Sequence, residues 1–204
     1  MKKNNFYELN ILGLKRQLPI LKTPSGIYIA GFNLVGDMEL LKKAGKSLSY
    51  QTITKGIKYD IILTTELKGL PIAQEVARYL NCDYVCLRKS KKCYMLNPIS
   101  IDGESITSGK SEYYVSQTEY EKLKNKNVLF VDDVYSTGST FKFMKNFSNQ
   151  AGFKITGCLS VLREGKINDD NLNFNAENTP VICCGFLPLP EISQEKGEKE
   201  WSMN

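Results

Sequence analysis

Five short apolar segments constrain this chain more than anything else in it: YDIILTT (59–65), DYVCLR (83–88), NVLFVDD (127–133), KITGCLSVL (154–162) and PVICCGF (180–186). A strand with one face in water alternates apolar and polar residues. Near-continuous runs of Ile, Val, Leu and Cys are what a strand covered on both faces needs. Helical patterns lie between these segments. PIAQEVARYLN (71–81) has Pro71 near the first turn and Ile72, Val76 and Leu80 at i, i+4, i+8. STFKFMKNFSNQAG (139–152) opens with hydroxyls, carries Phe143, Met144 and Phe147 on one side, and ends at Gly152, which suits a C′ position. The β-α-β alternation predicts an α/β fold, doubly wound, with a mostly parallel sheet flanked by helices.

With 204 residues and 42% hydrophobic content, the chain is expected to form a single domain, 1–204. Residues 1–50, with SGIYIAGFNLVGD and the helical MELLKKAGKSL, read as a smaller subdomain beside a core of 51–186. Residues 187–204 read as a polar tail, loosely held, with Trp201 tacked onto a surface. The segment 89–126 is rich in Gly, Ser and Lys but contains β-prone pieces such as EYYVS. Within it, 100–115 is expected to be a flexible, hairpin-like lid, since long loops in compact domains are commonly functional.

Several function classes drop out. The chain has no histidine, which removes Ser-His-Asp and Cys-His catalysis, His-ligated zinc and imidazole acid-base chemistry together. Lys plus Arg exceeds Asp plus Glu only by 27 to 22, with the excess spread along the chain, so no nucleic acid partner is expected. No run of roughly 18 apolar residues occurs, and MKKNNFYELN has no apolar stretch behind its lysines, so the expectation is a cytoplasmic protein with no membrane partner. The six cysteines form no CxxC pair and read as reduced core thiols.

The chemistry concentrates in VLFVDDVYSTGST (128–140). A turn that follows a parallel strand and opens a helix exposes unpaired N–H groups beside the positive end of the helix dipole, which suits a phosphate. Ser136, Thr137, Ser139 and Thr140 add hydroxyl donors, and Gly138 lets the backbone approach an anion. This cradle is not the GxxxxGK[ST] loop, which the chain lacks. Asp132 and Asp133 would repel a phosphate but would accept hydrogen bonds from a sugar's cis-diol, and they can help hold a hydrated Mg²⁺. Phosphate plus diol indicates a ribose 5-phosphate.

The stretch resembles the 5-phosphoribosyl-1-pyrophosphate (PRPP) signature of type I phosphoribosyltransferases, with Ser139 in place of the usual second glycine. The resemblance implies that fold, with a hood over the core formed by the small subdomain, and a homodimer. It implies that TTELKGLPIAQEVA (64–77) is the pyrophosphate loop, with Glu66, Leu67, Lys68 and Gly69 lining the ligand and a backbone kink often seen as a cis peptide. LRKSKKCY (87–94) resembles a basic segment of the adenine and xanthine enzymes, which gives Arg88, Lys89 and Lys92 a role in neutralising pyrophosphate. AGFNLVGD (30–37) looks like the hood segment of bacterial xanthine enzymes, with Phe32 stacking on the base and Asn33 hydrogen-bonding it. Arg163 stands where those enzymes place a lysine that reads the base.

The function implied is transfer of the phosphoribosyl group from PRPP to a purine, with adenine favoured over xanthine or hypoxanthine. Mg²⁺ is the expected cofactor, held by Asp132 and Asp133 through water. A lid carboxylate, Glu112 or Glu104, is the candidate for managing the base's proton. Two other readings stand beside this one: a PRPP-sensing regulator of the same fold without catalysis, and an orotate-type enzyme.

Overall fold

The computed structural model describes residues 6–23, 28–105, 109–165, 173–188, 191–192 and 201–202. Leu12 and Gly13, both at positive φ (52° and 74°), form a two-residue turn that joins β1 (Phe6–Ile11) to β2 (Leu14–Lys22) as an antiparallel hairpin. β3 (Tyr28–Ala30) pairs with the far end of β2. From β2, Arg16 reaches Asp37, the N-cap of α1 (Met38–Thr54), at 2.6 Å (Nε to Oδ2) and 3.0 Å (Nη2 to Oδ1). Asp37 also accepts the Leu40 N–H at 3.1 Å, so one carboxylate caps the helix and ties it to the small sheet.

The rest of the chain builds the main sheet. In order come β4 (Ile61–Thr65), α2 (Gly69–Leu80), β5 (Tyr84–Leu87), a hairpin of β6 (Ile99–Ser105) and β7 (Gly109–Val115), α3 (Gln117–Leu123), β8 (Asn127–Tyr135), α4 (Ser139–Ala151), β9 (Lys154–Gly165), β10 (Asn173–Ala176) and β11 (Thr179–Pro188). The spatial order is β10-β11-β9-β8-β4-β5, parallel throughout except for β10 at the edge. The five apolar segments of the sequence are its five parallel strands.

Their lack of polar alternation has a simple cause, because successive residues feed two separate cores. Ile62, Leu129, Val131, Leu159 and Ile182 pack on one face with α1, α2 and the β1–β3 sheet. Ile61, Leu63, Val128, Phe130, Ile155 and Val181 pack on the other with α4, Leu123 of α3 and the base of the β6–β7 hairpin. The helix α1 thus belongs to the helical layer over the main sheet. It approaches α2 so closely at Gly45 that a β-carbon there would lie 2.8 Å from Glu75 Cβ.

α2 ends at Asn81 and α4 at Gly152, both in the left-handed region, and the Gly152 N–H returns to the Ser148 carbonyl as its C′ position predicts. Within 89–126 the described residues form a hairpin, as expected, followed by a helix. β6 and β7 pair from Ile99–Val115 to Ser105–Gly109, and α3 opens on a capping box in which Ser116 and Glu119 satisfy each other's backbone N–H groups. All six cysteines are free thiols. In the tail, β12 (Glu191–Ile192) pairs with β13 (Trp201–Ser202), while the expected seating of the Trp201 side chain lies outside the described residues. Among the described residues no helix is long and apolar enough to cross a membrane.

Candidate active site

β8 lies between β4 and β9 and delivers Asp132 and Asp133 to the carboxyl edge of the sheet. Asp133 is buried, and its N–H donates to Asp132 Oδ1 at 2.9 Å. Burial pushes the Asp132 carboxyl up to about 7; the charge of Asp133 adds to this and the ammonium of Lys89 opposes it. Gly69, the first residue of α2, is pressed against the same group. A β-carbon there would lie 2.6 Å from Thr64 Oγ1, 2.9 Å from Asp132 Oδ1 and 3.2 Å from the Val131 carbonyl. Only glycine lets the positive end of α2 come this close to the acid.

Past the acids the chain turns through Ser136, Thr137 and Gly138 into α4, with Gly138 at φ 77° as the N-cap. The Ser139 N–H is turned to Thr137 Oγ1 at 3.4 Å, and the Thr137 hydroxyl donates to Ser139 Oγ at 3.1 Å. The turn encloses a small cleft of about 60 Å³, floored by Cys158 and Ser160 of β9 and walled by Tyr135 and residues 136–140. Its N–H groups at the start of α4 precede the first intrahelical bond, from Lys142 to the Gly138 carbonyl at 2.8 Å.

A second turn, residues 66–68, joins β4 to α2 at the same edge. The Glu66–Leu67 peptide is cis, as the family resemblance implies, and Lys68 follows with its ammonium 3.4 Å from the Phe32 carbonyl. Glu66 reaches the basic segment beyond β5, accepting the Lys89 N–H at 3.1 Å and lying 3.9 Å from Lys92 Nζ.

A strand ending in two acids, a hydroxyl-rich turn at a helix N-terminus and a cis-peptide turn thus meet at one edge of the sheet. The family model described as a phosphoribosyl transferase domain matches residues 35–177, a span that contains all three. The chain belongs to the phosphoribosyl transferase domain family.

Members and neighbours of this family differ in role. The purine biosynthesis transcriptional repressor PurR of Bacillus subtilis (strain 168) is 28% identical over 147 residues, covering 72% of this chain and 50% of that protein. The xanthine phosphoribosyltransferase of Alkaliphilus metalliredigens (strain QYMF) is 29% identical over 130 residues, 63% of each chain. The chain therefore spans about half to just under two thirds of the length of these relatives. The adenine phosphoribosyl transferase of Trypanosoma brucei, solved with AMP, pyrophosphate and ribose-5-phosphate, superposes with a TM-score of 0.60 at 17% identity, covering 81% of this chain and 73% of that one.

Of the residues that the family resemblance singles out, Asp132, Asp133, 136–140, Glu66 to Gly69 and Lys89 gather at this edge. Others are engaged elsewhere. The Arg88 guanidinium is turned to the Cys86 carbonyl (2.5 Å), the Tyr94 hydroxyl (3.2 Å) and Glu119 (3.7 Å). Lys92 donates to Ser90 Oγ at 2.8 Å but stays beside the edge, its ammonium 3.9 Å from Glu66. Phe32, expected to stack on a base, is buried at 7% exposure and belongs to the core cluster shared by the small sheet, α1, α2 and one face of the main sheet. Asn33 is exposed, its Oδ1 accepting the Val35 N–H at 3.3 Å. Arg163 lies over the Phe174 ring, 4.1 Å from its centroid. Glu112 is exposed on β7, where Ser100 donates to it at 2.9 Å and its carboxyl is held below the usual range by hydrogen bonds from Tyr114 and Ser100. The side chain of Glu104 lies outside the described residues.

Two tyrosines that sequence reasoning missed do belong to this edge. Tyr113, beside Glu112 but on the opposite face of β7, packs on Phe143 of α4 at 5.2 Å between centroids. Burial raises its phenol pKa, and the Asp132 charge raises it further. Tyr135 lines the turn itself. The alternation in EYYVS could have flagged Tyr113, had the register of the hairpin been known.

Proposed function

We propose that this protein is a purine phosphoribosyltransferase. It moves the 5-phosphoribosyl group from PRPP to a purine nitrogen, adenine being the favoured base and xanthine and hypoxanthine the alternatives, and releases pyrophosphate. The observation that carries the reading is the direct junction of Asp132 and Asp133 with the 136–140 turn, which puts diol acceptors and phosphate donors side by side.

In the reaction the bond from C1 to the pyrophosphate oxygen breaks ahead of formation of the bond to the base nitrogen, leaving positive charge on the ribosyl ring. Asp132 and Asp133 accept the ribose hydroxyls and lie on the side where that charge develops. The turn at the start of α4 holds the 5-phosphate by backbone and hydroxyl donors. Lys68 and Lys89 supply cations to the departing pyrophosphate. Tyr113 and the hairpin that bears it screen the acids from water.

The donor set suits Mg²⁺ brought in with the substrate. Among the described residues no cluster of three or more His, Cys, Asp or Glu could hold an ion alone. A carboxylate pair at one strand end, one of them raised by burial, fits an ion that takes its remaining ligands from phosphates and water. When bound, Mg²⁺ supplies positive charge to the leaving pyrophosphate.

The likeness to PurR favours a second reading, a PRPP-responsive regulator without turnover. One assay separates the two: incubation with PRPP, Mg²⁺ and each of adenine, hypoxanthine, guanine, xanthine and orotate, following nucleotide formation. Turnover with a purine is expected, and the Asp132→Asn, Asp133→Asn double variant should lower it by more than about a hundredfold. PRPP binding with no turnover of any base would replace the enzyme by the regulator.

A further inference from the structure

Tyr135 stands inside the phosphate turn, between the acid pair and Ser136, and nothing in the reading above uses its hydroxyl. The oxygen lies against Gly138, at 2.6 Å from where a β-carbon on that glycine would be, and the ring forms one wall of the cleft enclosed by 136–140. Among the described residues the structure gives this hydroxyl no hydrogen-bond partner. A half-buried tyrosine normally finds one for its O–H.

The ring is also held in place. It meets Phe141 at 6.2 Å between centroids and Phe174 edge-on at 5.2 Å and 77°. Arg163, in register with Tyr135 on β9, covers the Phe174 ring at 4.1 Å. Swinging the phenol out would break all of these contacts, so its hydroxyl is fixed at the cleft.

Residues 136–140, Ser, Thr and Gly at a helix N-terminus, give the cleft its donors to an anion, while Asp132 lines its acid end and Phe130, Val134, Phe141, Cys158 and Ser160 complete it. We infer that the Tyr135 hydroxyl is a binding residue for the 5-phosphate of the ribosyl substrate, donating to one of its oxygens from the side opposite the amides of α4. This rests on the reading of the turn as a phosphoribosyl site and deepens it. It also gives the β10 edge strand a function, because Phe174 from that strand supports the donor through the Arg163–Phe174–Tyr135 stack.

The test is titration calorimetry of the full chain and of Tyr135→Phe with ribose 5-phosphate, and separately with magnesium pyrophosphate as a probe of the other turn. A hydrogen bond to a phosphate is a charge-assisted one, so the variant is expected to bind ribose 5-phosphate about tenfold more weakly or worse, with pyrophosphate affinity and melting midpoint unchanged. Ribose 5-phosphate binding within twofold of the wild type would overturn the assignment while leaving the phosphoribosyl reading intact. A wild-type protein that binds no ribose 5-phosphate would remove both. Should the variant melt early, the wild type decides: its tyrosine ultraviolet absorption should shift to the red on adding ribose 5-phosphate, and an unchanged spectrum would overturn the assignment.

Discussion

Replacing Asp132 by Asn should make the free protein more stable and abolish the proposed phosphoribosyl transfer. In the folded chain burial and the Asp133 charge raise the Asp132 carboxyl from its ordinary 3.8 to about 7. Between these values the folded state binds more protons than the unfolded one, so this group's contribution to stability falls as pH rises from about 4 to about 7. At about 1.4 kcal/mol per pH unit the full cost of ionising it in place is on the order of 4 kcal/mol. Relaxation around buried charge lowers such penalties, and a net gain of about 2 kcal/mol is expected for the variant at pH 8. Asn keeps the shape and the Oδ1 acceptor that receives the Asp133 N–H at 2.9 Å, so the substitution removes charge and little else. The assay is urea unfolding of both proteins in EDTA at pH 5 and pH 8. The variant's advantage should be present at pH 8 and mostly gone at pH 5, where the wild-type carboxyl is already protonated. An advantage of equal size at both pH values, or a variant less stable at pH 8, would refute the reasoning.

Gly69→Ala should weaken PRPP binding and cost about 1–3 kcal/mol of stability, because its β-carbon meets Thr64, the Val131 carbonyl and Asp132 and α2 must back away. Unfolding midpoints and the KM for PRPP report the two effects, and a variant that matches the wild type in both would show that the close approach has no consequence. Glu112→Gln should leave turnover within about threefold, since the side chain is exposed on the face of β7 opposite Tyr113, and general acid-base catalysis is worth about a hundredfold or more. A loss of that larger size, with a shifted pH profile, would assign the base's proton to Glu112 after all.

The parallel strands were legible because burial on both faces leaves a local mark: Ile61, Ile62 and Leu63 are all apolar since each faces a core. The acid pair and the turn were legible for a similar reason, being contiguous. Features that depend on distant partners were not. Arg88 looks like a ligand cation in LRKSKKCY, yet Glu119 on α3 and Tyr94 draw it aside. Phe32 sits in a segment that reads as a binding edge, yet it is buried with the core cluster on one face of the main sheet. The ordered part of 89–126 was partly recoverable, because SQTE is a capping box that announces α3. Its hairpin was recoverable only in outline. Shifting the β6–β7 register by one residue would exchange Glu112 for Tyr113 at the acid pair, and composition does not fix that choice.

The placing of two like charges at the end of a buried strand now has a physical account. Asp132 is held at a cost, buried and pressed by Asp133, with the Lys89 ammonium offsetting only part of it and Gly69 at the start of α2 packed against the carboxylate. On the proposed reading, a substrate bringing two hydroxyl donors and a metal ion to the pair would relieve that cost as it binds. The same arrangement explains why the cradle follows so closely. A phosphate placed directly on the acids would add to the repulsion, but the turn through Gly138 carries the chain to amide and hydroxyl donors, with Tyr135 between the two halves. On the proposed reading the tyrosine stands where diol recognition and phosphate recognition meet, and removing its hydroxyl should loosen the second without disturbing the first.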